Sequence, residues 1–182
     1  MAQKWDNIEF EVILRLISGE AHLRQISKDT GIPRSTVSRK LGSLRNQLIV
    51  DYKIEGKNNI FFLRKNLVAL KAIISAENYK FTKTTEKYTF LLPIFEQLYR
   101  IKGPIILFGS YAKGIAKEDS DIDIYIDSHD KSLKGKAEAI YGKLSVKTGI
   151  FNNQDLLMQE IEKNHVIIKG AEEYYERLGF LD

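Results

Sequence analysis

The stretch LFGSYAKGIAKEDSDIDIYI, residues 107–126, decides how the C-terminal half of this chain is read. An apolar strand, PIILF, runs into Gly109-Ser110. A polar segment follows, and then Asp121 and Asp123 flank Ile122 inside a second apolar strand. Aspartate has poor strand propensity, and a carboxylate is costly to bury unpaired. The two-residue period of a strand puts both carboxylates on the same side. Two negative charges on one strand face beside a glycine turn need a counter-charge.

The pattern resembles the nucleotidyltransferase superfamily related to DNA polymerase β, especially its minimal members. Their signature is an apolar strand, Gly-Ser, then Asp-x-Asp. The matching residues are Gly109, Ser110, Asp121 and Asp123, with Ser120 inside the close wording GSYAKG…EDSDIDI. The resemblance extends over residues 85–182 and implies a small mixed sheet with helices. It implies that Asp121 and Asp123 are catalytic and hold Mg²⁺ or Mn²⁺ through oxygen, as hard cations require. It also implies that Gly109 lets the backbone approach an NTP while Ser110 and nearby N–H groups hold its oxygens. The superfamily carries a third carboxylate on the next strand. Here that strand is LSVKTGIF, residues 144–151, which has no Asp or Glu. The expected position falls on or near Lys147, with Ser145 and Gly149 as neighbours. Asp127 and Asp155 are the available substitutes.

The front half has a different pattern. Ile8, Val12, Ile13, Leu16 and Ile17 form a helical apolar stripe. A short helix over Leu23–Lys28 closes at Asp29-Thr30-Gly31, and Pro33 opens a third helix, where its missing N–H costs nothing. Val37, Leu41, Leu44 and Leu48 put a core stripe on that helix, leaving Ser35, Arg39, Ser43 and Asn46 on the opposite face. LIVDYKIEG and NIFFLRK then alternate as strands around a turn at Gly56–Asn59. This layout, and LRQISKDTGIPRSTVSRKLGSL in particular, resembles a winged helix-turn-helix of the bacterial and archaeal regulator type over residues 7–65. The resemblance implies double-stranded DNA as partner. Ser35, Arg39 and Ser43 are placed to reach base edges and phosphates in the major groove. Arg34, Lys40 and Arg45 flank them, and Lys57 at the wing tip meets backbone phosphate.

Charge follows the same division. Residues 1–65 carry a net +5, residues 66–103 a net +3 and residues 104–182 a net −4, within a chain of net +4. A basic half suits phosphate and an acidic half suits metal. The expected organisation is an α+β chain with a winged helix-turn-helix at 1–65, a helical linker at 66–84 and a minimal nucleotidyltransferase domain at 85–182. The segments NLVALKAIISAENYKF and TTEKYTFLLPIFEQLYRI read as helices, with Pro93 kinking the second or starting it afresh. They serve as linker or as a homodimer interface. The chain has no cysteine, which excludes disulfides and thiolate metal sites. His22, His129 and His165 show no metal-ligand spacing. No apolar run is long enough to span a bilayer, so the expected setting is the cytoplasm without a membrane partner.

Two functions fit these patterns. In one, the chain transfers a nucleoside monophosphate from an NTP to an acceptor, a protein included, since minimal members often act as antitoxins that modify a partner toxin. In the other, the nucleotidyltransferase fold is catalytically degenerate and serves a winged-helix transcriptional regulator as a sensor or dimerisation module.

Overall fold

The computed structural model describes residues 6–152 and 155–182. These form two compact units, Met1–Tyr79 with Gly179–Asp182, and Lys80–Leu178.

The first unit opens with α1 (Asn7–Ile17), which a capping box starts. Asp6 accepts from the Glu9 N–H at 3.0 Å, and the Glu9 carboxylate accepts from the Asp6 N–H at 3.2 Å. Val12, Ile13 and Leu16 are buried as the periodicity requires. After β1 (Ala21–His22) comes α2 (Leu23–Thr30), capped by His22 Nδ1 accepting from the Gln25 N–H at 3.0 Å. Gly31, at φ 71°, ends α2. Helix α3 (Arg34–Asn46) starts one residue after Pro33 and buries Val37, Leu41 and Leu44.

Leu48 departs from the expected stripe. It lies past the end of α3 at φ 62° and is 51% exposed. The helix closes in a Schellman motif, with Ile49 N–H donating to Leu44 O and Leu48 N–H to Arg45 O. That reversal turns Leu48 outward and puts Ile49 in the core instead. The wing then pairs β2 (Val50–Glu55) with β3 (Asn58–Leu63) in antiparallel fashion, Glu55 opposite Asn58. The turn is therefore Gly56-Lys57 alone, shorter than the expected four residues because Asn58 and Asn59 join the ladder. Gly56 has φ 60°, as the tight two-residue hairpin turns need. The sheet order is β1-β3-β2. Helix, strand, helix-turn-helix and wing in this order are a winged helix-turn-helix.

All but the first residue of the expected linker lies within one helix, α4 (Leu67–Lys87). Helix α5 (Leu91–Leu98) follows a break at residues 88–90. Pro93 sits in the first turn of α5, where no intrahelical N–H bond is lost, so it begins a helix and does not kink one.

The second unit contains β4 (Ile105–Phe108), α6 (Gly109–Ala112), β5 (Ile122–Asp127), α7 (Ser132–Glu138), β6 (Leu144–Gly149), α8 (Leu156–Lys163), β7 (Val166–Lys169) and α9 (Ala171–Arg177). The sheet order is β6-β5-β4-β7. Strands β5 and β6 run parallel, and the other neighbours are antiparallel, which makes the sheet mixed. One face is apolar: Ile105, Leu107, Ile122, Ile124, Ile126, Val146 and Val166 pack with Leu91, Phe95 and Leu98 of α5 and with Leu133 and Ala137 of α7. Burying each of these large aliphatic side chains contributes about 1.5–3 kcal/mol. That apolar face fixes the register and commits the alternate residues of β5 to the other side. Helix α6 is only four residues long, because Gly114 at φ 71° reverses the chain and Ile115 N–H returns to Ser110 O. Helix α8 is capped by Asp155, whose carboxylate accepts from the Leu157 N–H at 2.9 Å.

Candidate functional site

The apolar registry of β5 decides the acidic site. With Ile122, Ile124 and Ile126 in the core, Asp121, Asp123, Tyr125 and Asp127 fall on the opposite face. Asp121 is exposed immediately before the strand and Asp123 is half-buried within it. The loop that delivers Asp121 is tied down. Ser120 N–H donates to Lys117 O at 3.1 Å, and the Ser120 hydroxyl accepts from the Lys117 N–H at 2.9 Å. Ile122 N–H donates to Lys143 O at 2.9 Å, which anchors the start of β5 to the start of β6.

Gly109 and Asp123 are brought together. Phe108 pairs with Asp123 across β4 and β5, so the glycine that follows it lies against the carboxylate. A Cβ on Gly109 would collide with Asp123 Oδ2, and Gly109 also has φ 70°. Glycine is thus required twice, by conformation and by space. Ser110 follows in the same turn, half-buried, and its hydroxyl makes no hydrogen bond among the described residues.

On the other side of Asp123 the parallel register places Ser145, and Lys147 pairs with Tyr125 one step further along. Ser145 thus lies beside the Asp123 carboxylate. The residue paired with Asp123 on the next strand is therefore Ser145, two residues before Lys147. The sequence held the signal, since Ser145 has the strand parity of Lys147, but only the pairing register chooses between them. Burial pushes the Asp123 carboxyl above its ordinary value. The neighbouring Ser145 hydroxyl opposes that shift, the charges of Asp121 and Glu160 add to it, and Lys147 opposes it. Glu160, on α8, is answered by Lys113 at the end of α6, Nζ to Oε1 2.8 Å, which lowers the Glu160 carboxyl below its usual range.

The two substitute acids have other roles. Asp127 is buried, its Oδ2 is 2.5 Å from Arg177 Nε, and its Oδ1 accepts from the Phe151 N–H at 3.2 Å. Asp155 is the N-cap of α8. Buried beside Asp127 on the same strand, Tyr125 has its hydroxyl pushed up to about 12, mainly by burial and then by the Asp127 charge. Among the described residues, no group of three or more His, Cys, Asp or Glu side chains is placed to hold a metal ion. The site is a pair of carboxylates, and neither makes an ion pair with a residue of the chain among the described residues.

Residues 91–175 match the family model described as nucleotidyltransferase domain. This segment is a nucleotidyltransferase domain. No curated protein matches the chain. Two solved structures overlay parts of it. The transcriptional repressor BigR from Xylella fastidiosa matches at 24% identity and a TM-score of 0.35, over 37% of this chain and 66% of that one. The adhesin competence repressor AdcR from Streptococcus pyogenes matches at 18% identity and a TM-score of 0.42, over 50% of this chain and 69% of that one. The chain thus spans about two thirds of each repressor's length. The winged-helix assignment rests on the element order and the wing pairing of the first unit, not on these overlays.

On α3 and the wing the structure divides the seven residues singled out for a nucleic-acid face. Arg34, Ser35 and Arg39 are exposed, as is Lys57 at the wing tip. Lys40 is engaged inside the fold: its Nζ lies 2.5 Å from Asp6 Oδ2 and 3.7 Å from Glu9 Oε1. Ser43 donates to Glu9 Oε1 at 3.0 Å and accepts from Gln47 Nε2 at 3.0 Å. Arg45 leans on the wing, 4.6 Å above the Tyr52 ring and 3.8 Å from Asp51 Oδ1. The organiser of this network is Glu9, a 5% exposed acid that the helical periodicity of α1 passes over. Its signal in the sequence is the spacing Asp6-x-x-Glu9 of a capping box. Among the described residues no helix is long and apolar enough to cross a membrane.

Proposed function

We propose that the chain is a winged-helix DNA-binding protein whose nucleotidyltransferase domain binds a nucleoside triphosphate together with a divalent cation. The observation that carries this reading is Asp123, held against the Gly109 backbone by the strand register, with Asp121 on the same face and no cation of the chain, among the described residues, in an ion pair with either. Two carboxylates repel a triphosphate unless positive charge lies between them. Their oxygens suit Mg²⁺ or Mn²⁺, with the remaining ligands coming from water and phosphate. When bound, such an ion supplies charge neutralisation between carboxylates and phosphates. The chain's own residues supply the rest: Asp121 and Asp123 hold the ion, Ser145 orients Asp123, and Ser110 in the Gly109 turn holds phosphate oxygen. A symmetric pair of chains reading two half-sites is the corresponding assembly on DNA.

Transfer is the second reading, favoured by the intact Gly109-Ser110 and Asp121-x-Asp123 pair. An acceptor hydroxyl, on a protein, RNA or small molecule, would bond to the α-phosphorus. Its proton would go to a carboxylate or water, and the bond to the β-phosphate would break to release pyrophosphate. Ser145 beside Asp123 leaves the strand without a third acid, which argues for binding over rapid transfer.

The test is a melting curve with Mg²⁺ and each NTP, run beside incubation of the chain with labelled NTP and a cell extract. Metal-dependent stabilisation without label transfer supports the binding reading, and Ser145→Asp should then gain transfer. Robust transfer by the parent establishes the enzyme. No stabilisation by any NTP and metal removes the nucleotide reading altogether.

A further inference from the structure

We infer that the first unit grips the phosphate backbone of duplex DNA mainly through a cationic concavity between α2 and the start of α3, and not through Lys40 and Arg45 further along α3. This rests on the DNA-binding reading above. The concavity measures about 510 Å³ and is lined by His22, Arg24, Gln25, Ser27, Lys28 and Arg34. Three of the six are cations and none is an acid.

Among the described residues, no ion pair or side-chain hydrogen bond involves Arg24, Lys28 or Arg34. The one acid on α2, Asp29, is occupied by Arg15 of α1 at 2.5 Å and by Gln25 Nε2 at 2.6 Å. Arg15 holds its carboxyl below the usual range. Asp29 is thereby engaged chiefly by Arg15 and Gln25, with a smaller contribution from the Lys28 charge, and no acid makes a close pair with Arg24 or Lys28 among the described residues. The opposite holds for two cations further along α3, where Lys40 is answered by Asp6 and Glu9 and Arg45 by Asp51.

The remaining lining groups suit an oxygen-rich anion. His22 Nδ1 already accepts from the Gln25 N–H, so a neutral ring carries its proton on Nε2 and is a donor. Guanidinium and ammonium donors make short, charge-assisted bonds to phosphate oxygens. The choice of a duplex backbone over a free nucleotide follows from continuity. Arg34 opens α3, and the exposed Ser35 and Arg39 follow on the same helix, so one duplex can meet both the concavity and the groove-reading face. Sequence periodicity missed Arg24 and Lys28 because it ranks helix faces by hydrophobicity and cannot tell an answered charge from an unanswered one.

The experiment is a titration of the full chain against labelled duplexes of several sequences over a salt series. Each neutralised phosphate contributes about −0.9 to the slope of log K against log salt. Arg24→Ala with Lys28→Ala should flatten the slope by about 1.8 and lower affinity roughly 10- to 100-fold on every sequence. Arg45→Ala should leave the slope nearly unchanged, and Arg24→Lys with Lys28→Arg should restore it. An unaltered melting temperature for the double variant separates lost contact from lost fold. A parent that binds DNA while the double variant keeps its slope overturns this assignment and leaves the DNA reading intact. Loss of free triphosphate binding in the double variant, with DNA binding unchanged, also overturns it. A parent that binds no duplex at any salt overturns both.

Discussion

Helix α3 and strand β5 pose the same problem and resolve it differently. Each presents charged or polar residues at regular spacing away from a core stripe. On α3 the exposed positions are divided by α1: the acids Asp6 and Glu9 draw Lys40 and Ser43 into the fold and leave Arg34, Ser35 and Arg39 outside. On β5 the division runs along the strand: Arg177 of α9 takes Asp127, and among the described residues no cation pairs with Asp121 or Asp123. In both elements, a charge becomes structural where a complementary group comes within reach and stays available where none does. A buried charge stripped of its partner is expensive, whereas an exposed unpaired one costs little.

The largest contrast comes from removing the open acids. Asp121→Asn with Asp123→Asn should abolish the metal-dependent part of NTP stabilisation, about 2.7 kcal/mol at a ligand concentration of 100 Kd. In a chain of this size that is a shift on the order of 5–10 °C in the melting temperature. Asp127→Asn should instead destabilise the apo protein by about 1–3 kcal/mol, because the Arg177 partner and the Phe151 N–H bond are weakened. If Asp127→Asn also removed the metal response and left apo stability intact, the division along β5 would be wrong.

The matching pair on α3 is Lys40 and Arg39. Lys40→Met should cost about 1–3 kcal/mol in denaturant stability by leaving Glu9 short of a counter-charge. Arg39→Ala should leave the denaturant midpoint unchanged and weaken duplex binding by about 1–3 kcal/mol if the guanidinium reads a base. Equal effects of the two variants on both readouts would erase the distinction.

Glycines sharpen the picture at the acidic site. Gly109→Ala should destabilise by about 1–3 kcal/mol through its left-handed backbone and should also weaken metal-dependent nucleotide binding, because the new Cβ displaces Asp123. Gly114 also has φ 71°, but a Cβ there would meet only Lys87 Nζ, at 3.5 Å, so Gly114→Ala should carry the backbone cost alone. Thermal melts of the two variants, with and without Mg²⁺ and NTP, separate these costs.

The smallest effect is a pH dependence. Burial raises the folded Asp123 carboxyl above 3.8, so the folded state holds that proton more tightly than the unfolded chain. Its cost to stability is absent below the unfolded value and grows as pH rises through the folded one. Asp123→Asn should therefore raise the apo melting temperature at pH 7 by roughly 1–3 °C, and the gain should vanish toward about pH 3. A variant that melts lower than the parent at pH 7 would show that Asp123 stabilises the apo fold.

Much of this was legible from the residues. Alternation in DIDIYID placed Asp121 and Asp123 on one face, because a strand's period of two leaves no choice once the isoleucines are buried. The winged helix was legible from apolar spacing, Gly31, Pro33 and the alternating hairpin, since these are local preferences. The unread parts depend on meetings between distant segments. Which of Ser145 and Lys147 lies beside Asp123 is not legible in the sequence, because a parallel register is set by packing across two strands, and a shift of two residues leaves the alternation pattern unchanged. Leu48 fitted the helical stripe, and only the Schellman closure moved Ile49 into its place. The fates of Lys40, Ser43, Arg45 and Asp127 were undetermined for the same reason: a charge's role depends on its partner, and Asp6, Glu9, Asp51 and Arg177 become partners only once the chain has folded.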